Sequence, residues 1–189
     1  MKRSEINRAL AEATAYFSEN GWVLPPNPKW DITDFGLGDF NACGLVLVNL
    51  AEEEEYCEKI MYAKANQSTP AHTHRNKKED IICRTGVLAI NLWANDPSLG
   101  VSNQEIPIKI NGIKTKVVSN TRIDLSAGER ITILPGVWHA FYPLTASCMI
   151  GEVSTSNDDV NDNFFSDPRI GRFAEIIEDE EATVKLLGE

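Results

Sequence analysis

The most informative segment of the chain reads PAHTHRNKKE at residues 70–79, and it contains two of the chain's three histidines, His72 and His74. Side chains two residues apart on a β-strand project from the same face, so this spacing points both imidazoles in one direction. Glu79 ends the stretch, and the third histidine, His139, closes an LPGVWH segment further along. Three imidazoles and a carboxylate are typical ligands of a divalent metal, so we predict that these four side chains bind one ion. The alternative is that they are unrelated surface or structural residues.

The ligand types limit both the metal and its chemistry. Three neutral imidazoles and one carboxylate leave two open positions on an octahedral ion, and mixed nitrogen and oxygen ligands suit Mn(II), Fe(II), Co(II) or Ni(II). A structural zinc site is more often closed and rich in thiolate. Two adjacent open positions can chelate a hydroxyl and a carbonyl on neighbouring carbons, which is what the conversion of an aldose to a ketose requires. The same positions serve O2 activation, so the ligands alone leave the reaction open.

Composition excludes several classes of protein. At 189 residues with 42% hydrophobic content, the chain is long enough for one domain with a proper core. The formal net charge of -10 argues against nucleic acid or an anionic membrane as a partner. No apolar run reaches membrane-spanning length. The four cysteines form no C-x-x-C pair, which favours free thiols in a reducing cytoplasm.

The hydrophobic pattern divides the chain into three parts. Residues 1–43 contain an amphipathic helix, at 4–20, and then a proline-rich connector. Residues 44–154 are short apolar or alternating runs separated by turns, a pattern that predicts a barrel or sandwich. Residues 155–189 are a polar loop followed by an acidic, helix-prone tail from residue 174. We therefore predict a single, mainly β domain with a flanking helix at each end.

Four more polar residues are candidates for catalysis or substrate binding. Glu152 lies in a mainly apolar run, where burying a carboxylate is costly unless it has a partner or a role, so we predict that it is the acid or base. Lys59, on a predicted strand, would bind a substrate oxygen if it faces the interior. Each has the alternative of facing solvent. Asp167 and Arg169 would cap the cavity mouth and bind distal hydroxyls, or alternatively form an ion pair that pins the tail.

The pattern HxHx4Ex6G at residues 72–86 resembles the first motif of the cupins, and residues 128–139 resemble the second. The resemblance implies a double-stranded β-helix, or jelly-roll barrel, in which three histidines and one glutamate bind a divalent metal. The chain departs from the cupin pattern at Asn66, Leu134 and Pro143, which replace a usual glycine, proline and asparagine. None of these changes removes a ligand.

Along most of its length the chain resembles the D-lyxose isomerase family of cupins. The stretches that carry this resemblance are DFGLG at 34–38, YCEK at 56–59, the histidine–glutamate motif, PGVWH at 135–139, EVSTS at 152–156 and DPRI at 167–170. The resemblance implies a homodimer that interconverts D-lyxose and D-xylulose with Mn(II), often with activity on D-mannose and D-fructose. It also implies that Lys59 and Glu152 lie in the monosaccharide pocket. An Fe(II) cupin dioxygenase and a non-catalytic sugar-binding cupin remain alternatives.

Overall fold

The computed structural model describes residues 1–100, 102–155, 157–158, 160–170 and 175–189. Within them the helices are α1 (Arg3–Glu19) and α2 (Phe40–Cys43), with one 3₁₀ turn (Pro97–Leu99). The strands are β1 (Lys29–Thr33), β2 (Leu45–Glu52), β3 (Tyr56–Lys64), β4 (His72–Thr73), β5 (Glu79–Thr85), β6 (Val87–Trp93), β7 (Glu105–Ile110), β8 (Ile113–Val118), β9 (Thr121–Ser126), β10 (Arg130–Ile133), β11 (Trp138–Pro143), β12 (Ser147–Thr155) and β13 (Phe164–Phe165).

The strands form two sheets that share one core. The larger sheet has the order β1-β2-β3-β12-β5-β10-β7-β8, and the smaller has the order β13-β4-β11-β6-β9. Inward-facing side chains of both sheets pack together, among them Met61 and Ile150 from the larger and Ile90 and Phe141 from the smaller. Two antiparallel sheets packed over a common apolar core are the jelly-roll arrangement. The predicted mainly β cupin fold is therefore confirmed.

Helix α1 covers the outer face of the larger sheet. It lies within one residue of the predicted bounds at each end, and its buried stripe includes Ile6, Leu10 and Phe17. The ring of Phe17 stacks on that of Trp30 of β1, with 6.4 Å between centroids. Helix α1 covers the apolar outer face of strands β1 to β3, while the inner faces of β2 and β3 contribute apolar side chains to the core between the sheets. No helix in the described part of the chain is long and apolar enough to span a membrane.

The C-terminal tail differs from the prediction. Of the helix expected at residues 174–189, residue 174 lies outside the described residues, and residues 175–189 form no helix. The tail instead runs along the N-terminus, where the buried guanidinium of Arg3 binds the carboxylates of Glu178 and Glu189. The acidic residues repel one another at helical spacing, so long-range pairing with a cation outweighs the local helix propensity. The predicted C-terminal helix is therefore wrong.

Strand β1 and helix α2 lie in the segment predicted to be a connector between helix and barrel. Strand β1 pairs with β2 in register, so that Asp31 lies opposite Leu47. Asp31 and Thr33 line the same cavity as the histidine motif, so the segment forms part of the cavity wall.

All four cysteines are buried free thiols, as predicted.

Candidate active site

The three histidines meet on the smaller sheet. His72 of β4 lies opposite His139 of β11, and their ring centroids are 4.1 Å apart. His74 follows directly after β4, with its ring 5.3 Å from that of His72 and 5.7 Å from that of His139. One ring nitrogen from each residue lies within 4.8 Å of the others. Two nitrogens bound to one ion at about 2.1 Å lie at most about 4.2 Å apart, so small side-chain adjustments are enough to bring the three rings onto a single ion.

Backbone carbonyls set the tautomer of each imidazole. The Nδ1 atom of His72 lies 2.9 Å from the carbonyl oxygen of Pro70. That of His74 lies 2.6 Å from the carbonyl oxygen of Asp162, and that of His139 lies 3.2 Å from the carbonyl oxygen of Val137. Because a carbonyl only accepts, each Nδ1 carries the proton and donates it, which leaves the lone pair on Nε2. Burial, followed by the neighbouring imidazoles, holds the pKa of His72 well below its usual range, and burial also lowers the pKa of His74. Both rings are therefore neutral at pH 7, the form in which an imidazole can bind a metal.

Glu79 brings the carboxylate to the same point. It begins β5 and faces inward, and it is 2% exposed. Its Oε1 lies 2.8 Å from His139 Nε2 and 3.7 Å from His74 Nε2. In these Nδ1–H tautomers both atoms of the shorter contact carry lone pairs, and all three atoms are buried without a hydrogen-bond partner among the described residues. Converging lone pairs are costly to bury unless a cation lies between them, so the residues fit a divalent metal.

Lys77 is a site residue that the sequence analysis missed. Its side chain is 5% exposed, and its Nζ lies 3.1 Å from Glu79 Oε2 and 3.0 Å from Glu152 Oε1. Burial lowers the pKa of Lys77, but the two carboxylates outweigh it and raise the pKa overall. Burial likewise acts to raise the pKa of Glu79, yet the ammonium of Lys77 outweighs it and holds the pKa well below its usual range. The signal was present, because Lys77 precedes Glu79 by two residues, the spacing that places both on one face.

Glu152 and Lys59 face each other across β12 and β3 in the larger sheet. They are 7% and 6% exposed, and both line a cavity of about 430 Å3 that also contains His72, His74 and Glu79. Lys59 Nζ donates a hydrogen bond to Asn157 Oδ1 at 3.2 Å. The outward-facing alternatives for the two residues are therefore wrong, whereas their catalytic and binding roles stay predictions.

Asp162 is a second residue that the sequence analysis missed. Its carbonyl fixes His74, and its carboxylate accepts hydrogen bonds from the backbone of the turn between His74 and Glu79. The donors are the amides of Arg75, Asn76 and Lys77, at 2.8, 3.0 and 2.9 Å. Burial acts to raise the pKa of Asp162, but these three amides outweigh it and lower the pKa. One side chain thus holds the loop that joins two predicted metal ligands.

Asp167 and Arg169 do not join this cluster. They bind each other, with 2.6 Å between Arg169 Nη2 and Asp167 Oδ2, and hydrogen bonds from Arg169 lower the pKa of Asp167 to about 2. The Arg169 side chain is 77% exposed. Neither residue is among the described residues that line the cavity, although the nearby Ile170 is. The geometry matches the alternative of an ion pair, and their substrate-binding role stays a prediction.

Comparison with known proteins identifies the family. The family profile described as D-lyxose isomerase matches residues 27–189. The D-lyxose/D-mannose isomerase of Escherichia coli O157:H7 is 34% identical over 223 aligned residues, covering 100% of this chain and 98% of that protein. The D-lyxose/D-mannose isomerase of Serratia proteamaculans is 32% identical, covering 95% of this chain and 93% of that protein. The L-ribose isomerase of Acinetobacter sp. DL28, solved with L-ribose, has a TM-score of 0.70 at 14% identity, covers 94% of this chain and 98% of that chain, and shares the fold. The chain belongs to the D-lyxose isomerase family.

Proposed function

We propose that the protein is a metal-dependent aldose–ketose isomerase that interconverts D-lyxose and D-xylulose and also acts on D-mannose and D-fructose. The observation that carries the proposal is a cluster of converging, unpaired lone pairs on His74, His139 and Glu79 beside a buried lysine–glutamate pair. His72, His74, Glu79 and His139 would hold the metal, for which we propose Mn(II), with Co(II), Fe(II) and Ni(II) as substitutes. Family membership supports the reaction, because the relatives named above are D-lyxose/D-mannose isomerases.

The metal, when bound, supplies the positive charge that polarises the sugar carbonyl and acidifies the neighbouring hydroxyl. Glu152 then acts as the base. The C2–H bond breaks, the carboxylate of Glu152 takes the proton, and a proton is returned to C1. The proton of the C2 hydroxyl passes to the C1 oxygen, so aldose and ketose differ only in where two hydrogens lie.

The two lysines supply positive charge on the same side of the cavity. Lys77 Nζ lies 3.0 Å from Glu152 Oε1, so it orients this carboxylate and can donate a hydrogen bond to a sugar oxygen. Lys59 lies opposite Glu152 on the next strand and would bind a second sugar oxygen. This polar lining favours a polyhydroxylated substrate over the hydrophobic substrates of a dioxygenase.

The test is a sugar panel with defined metals. The protein is stripped with a chelator, reloaded with Mn(II), Co(II), Fe(II), Ni(II) or Mg(II), and assayed without O2 on pentoses and hexoses. We expect D-xylulose from D-lyxose, and solvent deuterium at C1 when the reaction runs in deuterated water. Absence of turnover on every sugar contradicts the proposal. Sugar-induced stabilisation without product would instead indicate a non-catalytic binding protein.

A matched pair of variants separates the role of Glu152 from a general effect of lost charge. Glu152→Gln should lower kcat by a factor of about 100 or more, as expected for loss of a general base. Glu58 lies on the neighbouring strand between two inward-facing residues and faces outward, so Glu58→Gln should leave kcat unchanged.

We also propose a homodimer in the cytoplasm, and light scattering after size exclusion tests the dimer.

A further inference from the structure

Asn49 of β2 is a buried amide that the reaction described above does not use. Its side chain lines the cavity and is 8% exposed. Its Oδ1 is buried without a hydrogen-bond partner among the described residues. Buried polar groups in native proteins are nearly always paired. An unpaired amide at the wall of a cavity therefore indicates that a ligand supplies the missing hydrogen bond.

A β-bulge directly after Asn49 shows how the chain turns polar groups into the cavity. The pairing between β2 and β3 shifts between Asn49 and Ala51, so Leu50 is an extra residue. The shift reverses the alternation of faces, and Glu52 consequently lines the cavity together with Asn49 although the two residues are three apart. Bulges commonly redirect side chains beside functional sites. The end of β2 thus presents polar groups to the cavity where regular alternation would not.

The register places Asn49 at a defined distance from the reacting end. Asn49 lies opposite Lys59, and Lys59 lies opposite Glu152, so the three form one row across adjacent strands. With about 4.8 Å between strands, Asn49 is roughly 10 Å from Glu152 along this row. The contact between the Glu152 carboxylate and C2 covers about 3 Å, and the three bonds from C2 to C5 cover about 3.8 Å, as between consecutive Cα atoms. The hydrogen bond at the terminal hydroxyl adds about 2.9 Å. When C2 lies beside Glu152, only the far end of a pentose reaches Asn49.

We infer that Asn49 is a specificity-determining residue whose amide binds the terminal hydroxyl of the acyclic sugar. The inference rests on the proposed function and adds to it a second point of recognition, remote from the metal ligands. A hydroxyl can donate to the amide oxygen or accept from the amide nitrogen, so either orientation of the amide serves. Sugars without this hydroxyl leave the amide unpaired and are poor substrates.

The experiment has the form of a double-mutant cycle, in which one change is made in the protein and the other in the sugar. Wild type and Asn49→Leu, a change of similar size, are each assayed on D-lyxose and 5-deoxy-D-lyxose. We expect kcat/KM for D-lyxose to fall about tenfold or more in the variant, and wild type to discriminate against the deoxy sugar by a similar factor. After correction for the open-chain fraction of each sugar, the variant should treat the two sugars alike within about twofold. Differences in ring opening between the sugars cancel, because the cycle compares ratios.

The controls keep the result specific. Leu47 faces the same cavity two residues earlier on β2, and Leu47→Met should change the rates for both sugars by one common factor. If Asn49→Leu does not fold, Asn49→Ala provides the same comparison. An Asn49 variant that keeps the wild-type preference between the sugars would overturn the inference. So would a wild type that converts both sugars equally well.

Dissociation constants measured by calorimetry separate this inference from the proposed function. If wild type binds D-lyxose and forms no product, the proposed function is wrong, and the same cycle is read from the dissociation constants. If wild type turns over D-lyxose and Asn49→Leu is unaffected, only the inference about Asn49 is wrong. If wild type binds neither sugar, both are wrong.

Discussion

Asp162 gives the sharpest prediction about how the metal ligands are positioned. Its carboxylate accepts three backbone N–H groups of residues 75–77, and it is 6% exposed. The turn it holds carries the chain from His74 on the smaller sheet to Glu79 on the larger sheet. We predict that Asp162→Ala loosens this turn and weakens metal binding, although Asp162 does not itself donate to the metal.

The size of the effect follows from the number of hydrogen bonds lost. A hydrogen bond to a charged group contributes about 1.5–3 kcal/mol, but water replaces part of the loss once the turn opens. We therefore expect Asp162→Ala to lower the free energy of unfolding by about 3 kcal/mol and to weaken metal binding by about 10- to 100-fold. Asp162→Asn keeps one acceptor oxygen and turns its amide nitrogen toward a backbone donor, so its effect should be intermediate.

The assay is a competition for Mn(II) between the protein and a coloured chelator, together with urea unfolding of the metal-free protein. Asp158 supplies the control, because its carboxylate binds the amides of Val160 and Asn161 in the same segment and none in the turn at residues 75–77. Asp158→Ala should leave metal affinity within about twofold of wild type. If Asp162→Ala binds Mn(II) as tightly as Asp158→Ala does, Asp162 does not position the metal ligands.

Three further predictions concern charge and metal. Lys77→Met leaves two buried carboxylates without their cation and should destabilise the metal-free protein by about 3–5 kcal/mol in urea unfolding. Hydrogen bonds from Arg3 lower the pKa of Glu178 and Glu189 in the folded protein. These ion pairs therefore stabilise the fold fully above the carboxyl pKa of the unfolded chain, about 4.3, and the stabilisation is lost as the pH falls through the lower pKa values of the folded protein. Arg3→Met should therefore lower Tm at pH 7, with a difference from wild type that shrinks near pH 3 in calorimetry. Removing the metal should abolish isomerisation. It should also lower the free energy of unfolding by about 2.7 kcal/mol, compared with protein in a solution whose free metal concentration is 100 times Kd.

The convergence of His72 and His74 was predictable because strand spacing alone determines it, whereas the position of His139 depends on the pairing of β11 with β4. His72 and His74 are two residues apart, and this alone places both rings on one face. Lys77 has the same spacing to Glu79, but it lies in a run of basic and polar residues that is typical of a solvated turn. The burial of Lys77 depends on its ion pair with Glu152, which lies 75 residues later in the sequence. The residues around Lys77 therefore give no sign of this partner.

Other features depend on contacts between distant parts of the chain. Asp162 lies in a polar, acidic loop, and its partners are more than 80 residues earlier. The tail was predicted to be helical from its composition, yet Arg3 at the opposite end of the chain determines its path. The bulge after Asn49 likewise needs the partner strand to be seen. Local periodicity thus predicts the elements, while long-range pairing decides which polar residues are buried.

The two sheets contribute different chemistry to the cavity. The three imidazoles come from β4, β11 and the residue after β4, on the smaller sheet. The inward-facing carboxylates of Glu79 and Glu152, the ammonium of Lys59 and the amide of Asn49 all come from the larger sheet. A substrate between the sheets would therefore meet the histidines on one side and hydrogen-bonding groups along its length on the other. The turn held by Asp162 is one of the connections between these two walls, and it is the one that joins His74 to Glu79. It therefore helps to set how far the carboxylate lies from the histidines, and that distance decides whether all four side chains can hold one ion beside the sugar.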